Sequence, residues 1–407
     1  MNAPGRLGGI APTLSQESAS AAAAALVPKL TERAAQCEAL RRCPDATIDE
    51  LYASGLMRIM QPPRYGGSGL GLESLLDITL ALARGCGSSA WVALNLISHS
   101  WNIGQLSIQA QDDVWGENPN AVASTSFAFP CGKARVVEGG YRLSGRWPFA
   151  SGVDSAQWML VGALTERESA GKSGASERRF FLVPMADYKS LDDWHAYGLA
   201  GTGSHNVEIN EAFVPEHRTA NAEAFARGFD TPGGIAHGTT LYRTPPFPGF
   251  AFALAMLPLA SARAACAEHL AMTRGRAGTY SGVRLAELAP VQIRIAEASA
   301  AVDLAVLSLR TDIREFVALV ETGTSPSVDA RMRWRRNLAF GAGLAVRAVD
   351  TLMAASGAGG LTLTNSLQRH FRDVHAGGAH ITLTWDVQAS AYGLHALGLG
   401  VPAGMIL

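Results

Sequence analysis

The sequence predicts a mainly α protein with a small central β domain, and three observations carry that prediction. Between Ala123 and Val161 short apolar runs alternate with turn signals at Gly139-Gly140 and Ser144-Gly145. Long Ala- and Leu-rich stretches with helical spacing lie on both sides. An irregular Pro- and Gly-bearing segment, 221–248, then separates the strands from a second helical region. Helices, strands and helices again is an uncommon order, and it limits the candidate folds sharply. The expected division is a flexible tail at 1–14, a helical domain at 15–118, a β domain at 119–232 and a helical bundle at 233–407.

Composition supports a globular chain. Of 407 residues, 48% are apolar and 17% charged, so large cores can be buried. A formal net charge of −1 gives no global attraction to nucleic acid or anionic lipid. Five scattered cysteines without a C-x-x-C point to neither a disulfide framework nor a zinc site, and to a reducing cytoplasm. The N-terminal stretch has no charged n-region before a long apolar core, and no uninterrupted apolar run approaches membrane-spanning length. Neither a signal peptide nor a span is expected.

The elements follow in order. A helix starts at Ser15 or Ser18 as N-cap and carries Leu26, Leu30, Ala34 and Cys37 on one face. A second covers Ile48 to Gly55, a third Leu72 to Arg84, and the most apolar one Ser88 to Leu106. Within that last helix Asn95, His99 and Asn102 share a face by i, i+4, i+7 spacing. They are either core groups satisfied by neighbours or the lining of a polar pocket that includes Trp101. Strands continue to about Pro215, with GKSGASE (171–177) as an exposed hairpin loop. Pro245, Pro246 and Pro248 exclude a regular helix around them. Helices resume over Ala251–Arg274, Ala289–Thr322, Asp329–Ser356 and from about Thr364, enough for a four-helix bundle. The run Arg331, Arg333, Arg335, Arg336 reads as a solvated or inter-subunit face.

Absent motifs narrow the chemistry. There is no P-loop, no G-x-S-x-G elbow and no H-E-x-x-H. Gly85-Cys86-Gly87 follows helical sequence, so it is not a dinucleotide fingerprint. On one helix His375 and His380 diverge by about 140°, which argues against a shared metal.

Three stretches resemble the acyl-CoA dehydrogenase family: LRRCPDATIDELYASGLMRIMQPPRYGG, YRLSGRWPFASGVDSAQW, and AASGAGGLT followed by QRHFRD. The resemblance implies an N-terminal helical domain, a β-barrel middle domain and a C-terminal four-helix bundle. Dehydrogenases of this family carry a glutamate base shortly after Arg-Asp. Here Arg372-Asp373 is followed by VHAGGAHITLTWD, with His380 where the glutamate would stand and no carboxylate before Asp386. SSAWVALNLISHSW and RDVHAGGAH are instead similar to the two-component flavin monooxygenases of this fold, which include hydroxylases of hydroxyphenyl substrates and of a phenolic steroid-degradation intermediate.

That branch implies an oxygenase component that takes reduced flavin (FMNH2 or FADH2) from a separate NAD(P)H-dependent flavin reductase. With O2 it hydroxylates an aromatic, phenolic substrate through a C4a-hydroperoxyflavin. An acyl-CoA dehydrogenase-type flavoenzyme with a displaced base, or an N- or S-oxygenase, is the alternative. By resemblance Ser151 lies near flavin N5, Trp147 packs by the ring, and His99 and His380 face the reacting centre. Ser124, Thr125 and Ser126 meet the pyrimidine edge. Arg263, Arg274, Arg276, Gly359 and Gly360 are candidates for flavin phosphate or adenine. Relatives of this fold pair their bundles, implying a homotetramer.

Overall fold

The computed structural model describes residues 13–166, 176–402 and 405. Residues 1–12 of the expected tail and most of the 171–177 loop lie outside the described residues. Leu14 is already tied down, its amide donating to Ser68 Oγ at 2.8 Å.

Five helices come first: α1 (Gln16–Leu40), α2 (Asp45–Ala53), α3 (Leu72–Leu82), α4 (Gly87–Ile103) and α5 (Ile108–Trp115). Ser15 caps α1 and exchanges hydrogen bonds with Ser18, so both expected caps belong to one capping box. Every residue of α4 is buried, which explains its nearly unbroken apolar sequence.

Eight strands follow: β1 (Ala123–Ser126), β2 (Gly132–Val137), β3 (Gly140–Ala150), β4 (Trp158–Glu166), β5 (Glu177–Pro184), β6 (Lys189–Ser190), β7 (His205–Pro215) and β8 (Thr219–Asn221). They form one sheet in the order β6-β7-β3-β2-β4-β5-β8, with β1 paired to β4 beside β2. Since β6 and β8 end the ladder, the expected barrel is not closed by hydrogen bonds among the described residues. Alternation along β4 and β5 divides two cores. Met159, Val161, Phe181 and Val183 join Trp147 on one face. Leu160, Phe180 and Leu182 meet Ile103, Leu106 and Trp115 of the helical domain on the other.

Gly139 makes the expected β2–β3 turn at φ 77°. Ser144-Gly145 does not turn; it continues inside β3 opposite a bulge of β7, where Asn210 and Glu211 face the single Ser144 and Glu211 has φ 49°. The reason is Trp147. A Cβ on Gly132 would lie 2.1 Å from its Cζ2, and one on Gly145 2.8 Å from its Cη2. Its indole therefore lies across two glycines, with Nε1 donating to the Gly162 carbonyl at 2.7 Å.

The chain returns to helix through α6 (Ala222–Arg227), α7 (Pro232–His237) and α8 (Thr240–Arg243), then α9 (Pro246–Arg274), α10 (Ala289–Glu321), α11 (Val328–Ser356), α12 (Leu367–Gly378) and α13 (Trp385–Ala396). The prolines at 245–248 were expected to exclude a helix, yet α9 begins at Pro246. In a first helical turn a missing N–H costs no bond, so Pro246 and Pro248 are tolerated there. Both α9 and the stretch Val328–Leu361 are long and apolar enough to cross a membrane, but 83% of the apolar window of α9 is buried inside the fold.

The Arg-x-x-Arg-Asp run on α12 is a joint. Arg369 and Arg372 both pair with Glu38 of α1. Asp373 Oδ1 accepts the Leu199 amide at 2.6 Å. The joint brings the first helical domain, the loop before β7 and the bundle together.

Candidate active site

Two cavities meet at one wall. The first, of about 390 Å³, is lined by Thr125 and Ser126 of β1, Phe247 and Phe250 of α9, and Arg335 of α11. The second, of about 400 Å³, reaches Trp194, Thr202, Ser204 and the small residues Ala376 and Gly377 of α12. Trp91, Phe149, Ser151, His380 and Ile381 line both. Among the described residues no Asp or Glu lines either cavity. Asp386, the first carboxylate after Arg-Asp, is exposed on α13.

Ser151 follows a second irregularity of the β3–β7 pairing, between Trp147 and Ala150, where Phe149 adopts φ 61°. A bulky residue in the left-handed region is a strained conformation of the kind that clusters at functional sites. The corner is not an open turn, as expected from the sequence; Ser151 is 8% exposed.

Its hydroxyl belongs to a chain whose direction is fixed. Thr202 Oγ1 donates to the Leu199 carbonyl at 2.9 Å. Thr202 therefore accepts from Ser204 at 2.7 Å, and Ser204 accepts from Ser151 at 2.7 Å. Each hydroxyl has one proton, so one fixed end orders the whole chain. Trp91 Nε1–H donates to Ser151 Oγ at 2.9 Å. Ser151 thus presents acceptor capacity to the cavities. Thr125 and Ser126 do the same. Ser126 Oγ donates to the Pro148 carbonyl at 2.8 Å.

Thr125 is set by His99. His99 Nδ1–H donates to the Ala123 carbonyl at 2.8 Å, so Nε2 accepts the Thr125 hydroxyl at 2.9 Å. His99 is 1% exposed and does not line the cavities. The expectation that it faces the reacting centre is corrected: both ring nitrogens are engaged, and Thr125 stands in front. Burial pushes its pKa down to about 4, against the opposing pull of the Ala123 carbonyl.

His380 does reach both cavities. It caps a short 3-10 turn, Ile381–Leu383, its Nδ1 accepting the Thr382 amide at 3.2 Å. The proton of the neutral ring therefore sits on Nε2, which is a donor. Burial holds its pKa down at about 4. His375 lies on α12, pairs with Asp350 at 2.9 Å and lines neither cavity.

The remaining expected residues divide. Asn95 lines the first cavity and donates to the Trp91 carbonyl at 2.8 Å. Trp101 and Asn102, expected in the pocket, are 1% exposed and line neither cavity. Trp101 Nε1 donates to the Leu241 carbonyl at 2.7 Å instead. Ser124 is buried behind the wall, its hydroxyl donating to the Ser151 carbonyl at 2.9 Å. Trp147, expected beside the cofactor, is core; Trp91 is the wall tryptophan.

Arg263 is half exposed beside Asp303, and Arg274 is exposed at the end of α9. Arg276 donates to the Ser356 carbonyl at 2.9 Å and lies against Gly359, whose Cβ would stand 3.2 Å from Nη2. Arg276 and the Gly359-Gly360 turn thus form one feature. The helix between Phe250 and Arg274 spans about 36 Å at 1.5 Å per residue, so that feature is remote from the cavities of its own chain.

Lining residues that were missed include Trp91, Phe149 and Ile381 of the shared wall and Arg335 of the first cavity. Trp91 stands one turn before Asn95, so the polar stripe extended backwards would have included it. Arg335 lies three and four residues before buried Leu338 and Ala339, which places it in the apolar stripe of α11 rather than on a solvated face.

The depressed pKa of His99 has a signed consequence. Its contribution to stability is full above the ordinary histidine value of about 6.5 and is lost as pH falls toward about 4. Urea midpoints of the native protein are expected to drop across that window, and those of His99→Gln to drop less. Equal slopes in the two proteins would contradict this assignment.

Comparison with known proteins agrees with this architecture. Residues 14–115 match the acyl-CoA dehydrogenase N-terminal domain, and residues 252–385 the acyl-CoA dehydrogenase C-terminal domain. The chain is 37% identical to the oxygenase component of an FADH(2)-dependent resorcinol hydroxylase from Rhizobium sp. (strain MTP-10005), over 90% of each chain. It superposes on the crystal structure of 3-HSA hydroxylase from Rhodococcus sp. RHA1 with a TM-score of 0.89 at 31% identity, covering 95% of this chain and 99% of that one. It superposes on XiaF from Streptomyces sp., in complex with FADH2 and glycerol, with a TM-score of 0.88 at 25% identity, covering 96% and 98%. This chain belongs to the acyl-CoA dehydrogenase family, within its group of flavin-dependent monooxygenase oxygenase components.

Proposed function

We propose that this oxygenase component hydroxylates a phenolic small molecule, receiving its reduced flavin from a separate reductase. The observation that carries the reading is the shared wall, where three hydroxyls present acceptors and one imidazole presents a donor. Reduced flavin fits that wall by its donor set: its N5–H is a hydrogen-bond donor that the oxidised ring lacks, and Ser151 offers an acceptor. Each cavity lies within the size range of small-ligand sites, about 300–1,000 Å³. Ser151, Thr125 and Ser126 are the residues that would hold the flavin. With O2 the bound cofactor supplies the oxygen atom transferred to the substrate.

The other roles belong to the chain. The Ser151–Ser204–Thr202 chain keeps the Ser151 lone pair aimed at the wall, where it would accept from N5–H of the reduced ring. Phe247 and Phe250 exclude water from the aromatic substrate. His380 Nε2–H would donate a hydrogen bond to the oxygen of a phenol at the wall and so orient it. His99 positions Thr125. The Arg276–Gly359 feature suits the flavin phosphate or adenine of a neighbouring subunit, which accords with a homotetramer. The exposed Ile293, Leu304 and Leu307 of α10 also favour assembly.

The direct test couples the protein to a flavin reductase and follows O2 uptake and product over phenols, amines and thioethers. Hydroxylation of a phenol is expected; turnover confined to amines or thioethers would replace this reading with N- or S-oxygenation.

Three further outcomes follow from the wall. Ser151→Ala and Ser204→Ala should both fold and divert flavin oxidation from product to H2O2. Ser204→Ala should also weaken binding of reduced flavin relative to oxidised, since Ser151 is then free to rotate; an unchanged ratio counts against the hydroxyl chain. His380→Ala should lower single-turnover product by about 10²–10⁴-fold, and His375→Ala by little. The reverse order would move the catalytic imidazole to His375. Light scattering at micromolar concentration should give a tetramer, and a monomer would refute the assembly.

A further inference from the structure

We propose that Asp373 is a positioning residue for the wall between the cavities: acting through the backbone of Leu199, it fixes the direction of the hydroxyl chain that ends at Ser151. This deepens the proposed reading of Ser151 as the acceptor for reduced flavin and rests on it.

The connection runs through the two polar groups of the Leu199 backbone. Its amide donates to Asp373 Oδ1 at 2.6 Å. Its carbonyl accepts from Trp194 Nε1 at 3.1 Å, from the Thr202 amide at 3.2 Å and from Thr202 Oγ1 at 2.9 Å. The last of these is the fixed end that orders Ser204 and then Ser151. Leu199 itself adopts φ 51° and ψ 33°, the left-handed region that residues other than glycine rarely enter. Such a conformation persists only where the surroundings hold it, and α12 supplies the hold. Arg372 Nη1 donates to the Tyr197 carbonyl at 2.6 Å, and a Cβ on Gly198 would stand 2.1 Å from the Arg372 carbonyl oxygen. Gly198 thus lets the loop close on α12, and Asp373 takes the next amide.

Asp373 is 2% exposed and lines neither cavity, so it acts on the ligands only through Leu199. His370 and Arg372 of α12, Glu38 of α1 and Tyr197 of the loop are the titratable groups that face it. Helices α4 and α9 turn Gly87 and Ser261 toward it: a Cβ on Gly87 would lie 2.4 Å from Asp373 Oδ2 and 3.2 Å from Ser261 Oγ. Oδ2 has no hydrogen-bond partner among the described residues, so it is the oxygen that carries the proton when the acid is neutral. Burial pushes the pKa up to about 6, against the pull of the Leu199 amide, His370 and Arg372, with Glu38 adding to the rise. An ionised acceptor makes a hydrogen bond roughly twice as strong as a neutral one. The grip on Leu199 is therefore tightest above about pH 6.

The experiment takes two readings on the flavin-free, full-length protein. Anaerobic titration with FADH2 and FAD gives the ratio of reduced to oxidised affinity, and hydrogen exchange gives the protection of residues 199–204. Asp373→Ala should speed that exchange and lower the affinity ratio about 2- to 10-fold, the worth of one net hydrogen bond. Asp373→Asn keeps an acceptor without the charge. The native ratio divided by the Asp373→Asn ratio should be near unity at about pH 5 and clearly greater at about pH 8. Circular dichroism checks folding; should Asp373→Ala not fold, this quotient decides alone, and a value flat with pH overturns the proposal. Faster exchange in Asp373→Ala with an unchanged affinity ratio would make the carboxylate a structural tie only, and overturns it too. Ser204→Ala separates the two readings. If Ser204→Ala lowers the ratio and Asp373→Ala does not, the positioning role fails and Ser151 stands. If neither lowers it, Ser151 is not the flavin acceptor, and both readings fall.

Discussion

The site depends on how Trp147 packs across Gly132 and Gly145. The indole fills the space that two side chains would occupy, and this fixes β3 against β2. Burial of so large a ring contributes several kcal/mol, about 3–5 by comparison with Trp or Phe truncations. That anchor lets the next residues break the regular ladder. The register shifts, Phe149 takes a left-handed conformation, and Ser151 arrives at the wall between the cavities. A residue at φ 61° costs about 1–3 kcal/mol and persists because the flanking strand over-determines it. Stability at position 147 and geometry at position 151 are two ends of one device.

A second constraint comes from the opposite side of the wall. Helix α4 is buried along its whole length, so each polar group on it must find a partner. Trp91 finds Ser151, Asn95 finds the Trp91 carbonyl, and His99 finds Ala123 and Thr125. The requirement to satisfy a buried helix orders the hydroxyls of the sheet. Two domains therefore hold one set of hydrogen atoms in place, and the joint at Asp373 and Glu38 keeps those domains in register.

Much of the fold was legible in the sequence because it rests on local signals. Helical spacing around Leu26–Cys37, the Gly139 turn and the long bundle helices are each decided by residues near one another in the chain. Of the cavity lining, Thr125, Ser126 and Ser151 were legible at strand ends, and Asn95 and His380 outside them. Periodicity identifies the face of a helix but not what packs on it. Thus His99 was placed on the correct polar face and assigned the wrong neighbour. Trp147 and Trp91 exchanged roles for the same reason. Arg335 was hidden by its company: in a run of four arginines, charge density outweighed its position in the apolar stripe of α11. The prolines before α9 misled because a rule for helix interiors was applied to a helix start.

The one-way orientation of the hydroxyls bears on water. A water molecule settles in a cavity by giving and receiving hydrogen bonds, with two to four polar partners. Ser151, Thr125 and Ser126 can only receive, and most of their neighbours in the first cavity are phenyl rings and aliphatic groups. Water beside those three hydroxyls can only give to them, and must receive from a donor elsewhere on the lining, such as His380 Nε2–H. The hydroxyl order therefore confines a well-held water to the part of the chamber nearest the imidazole.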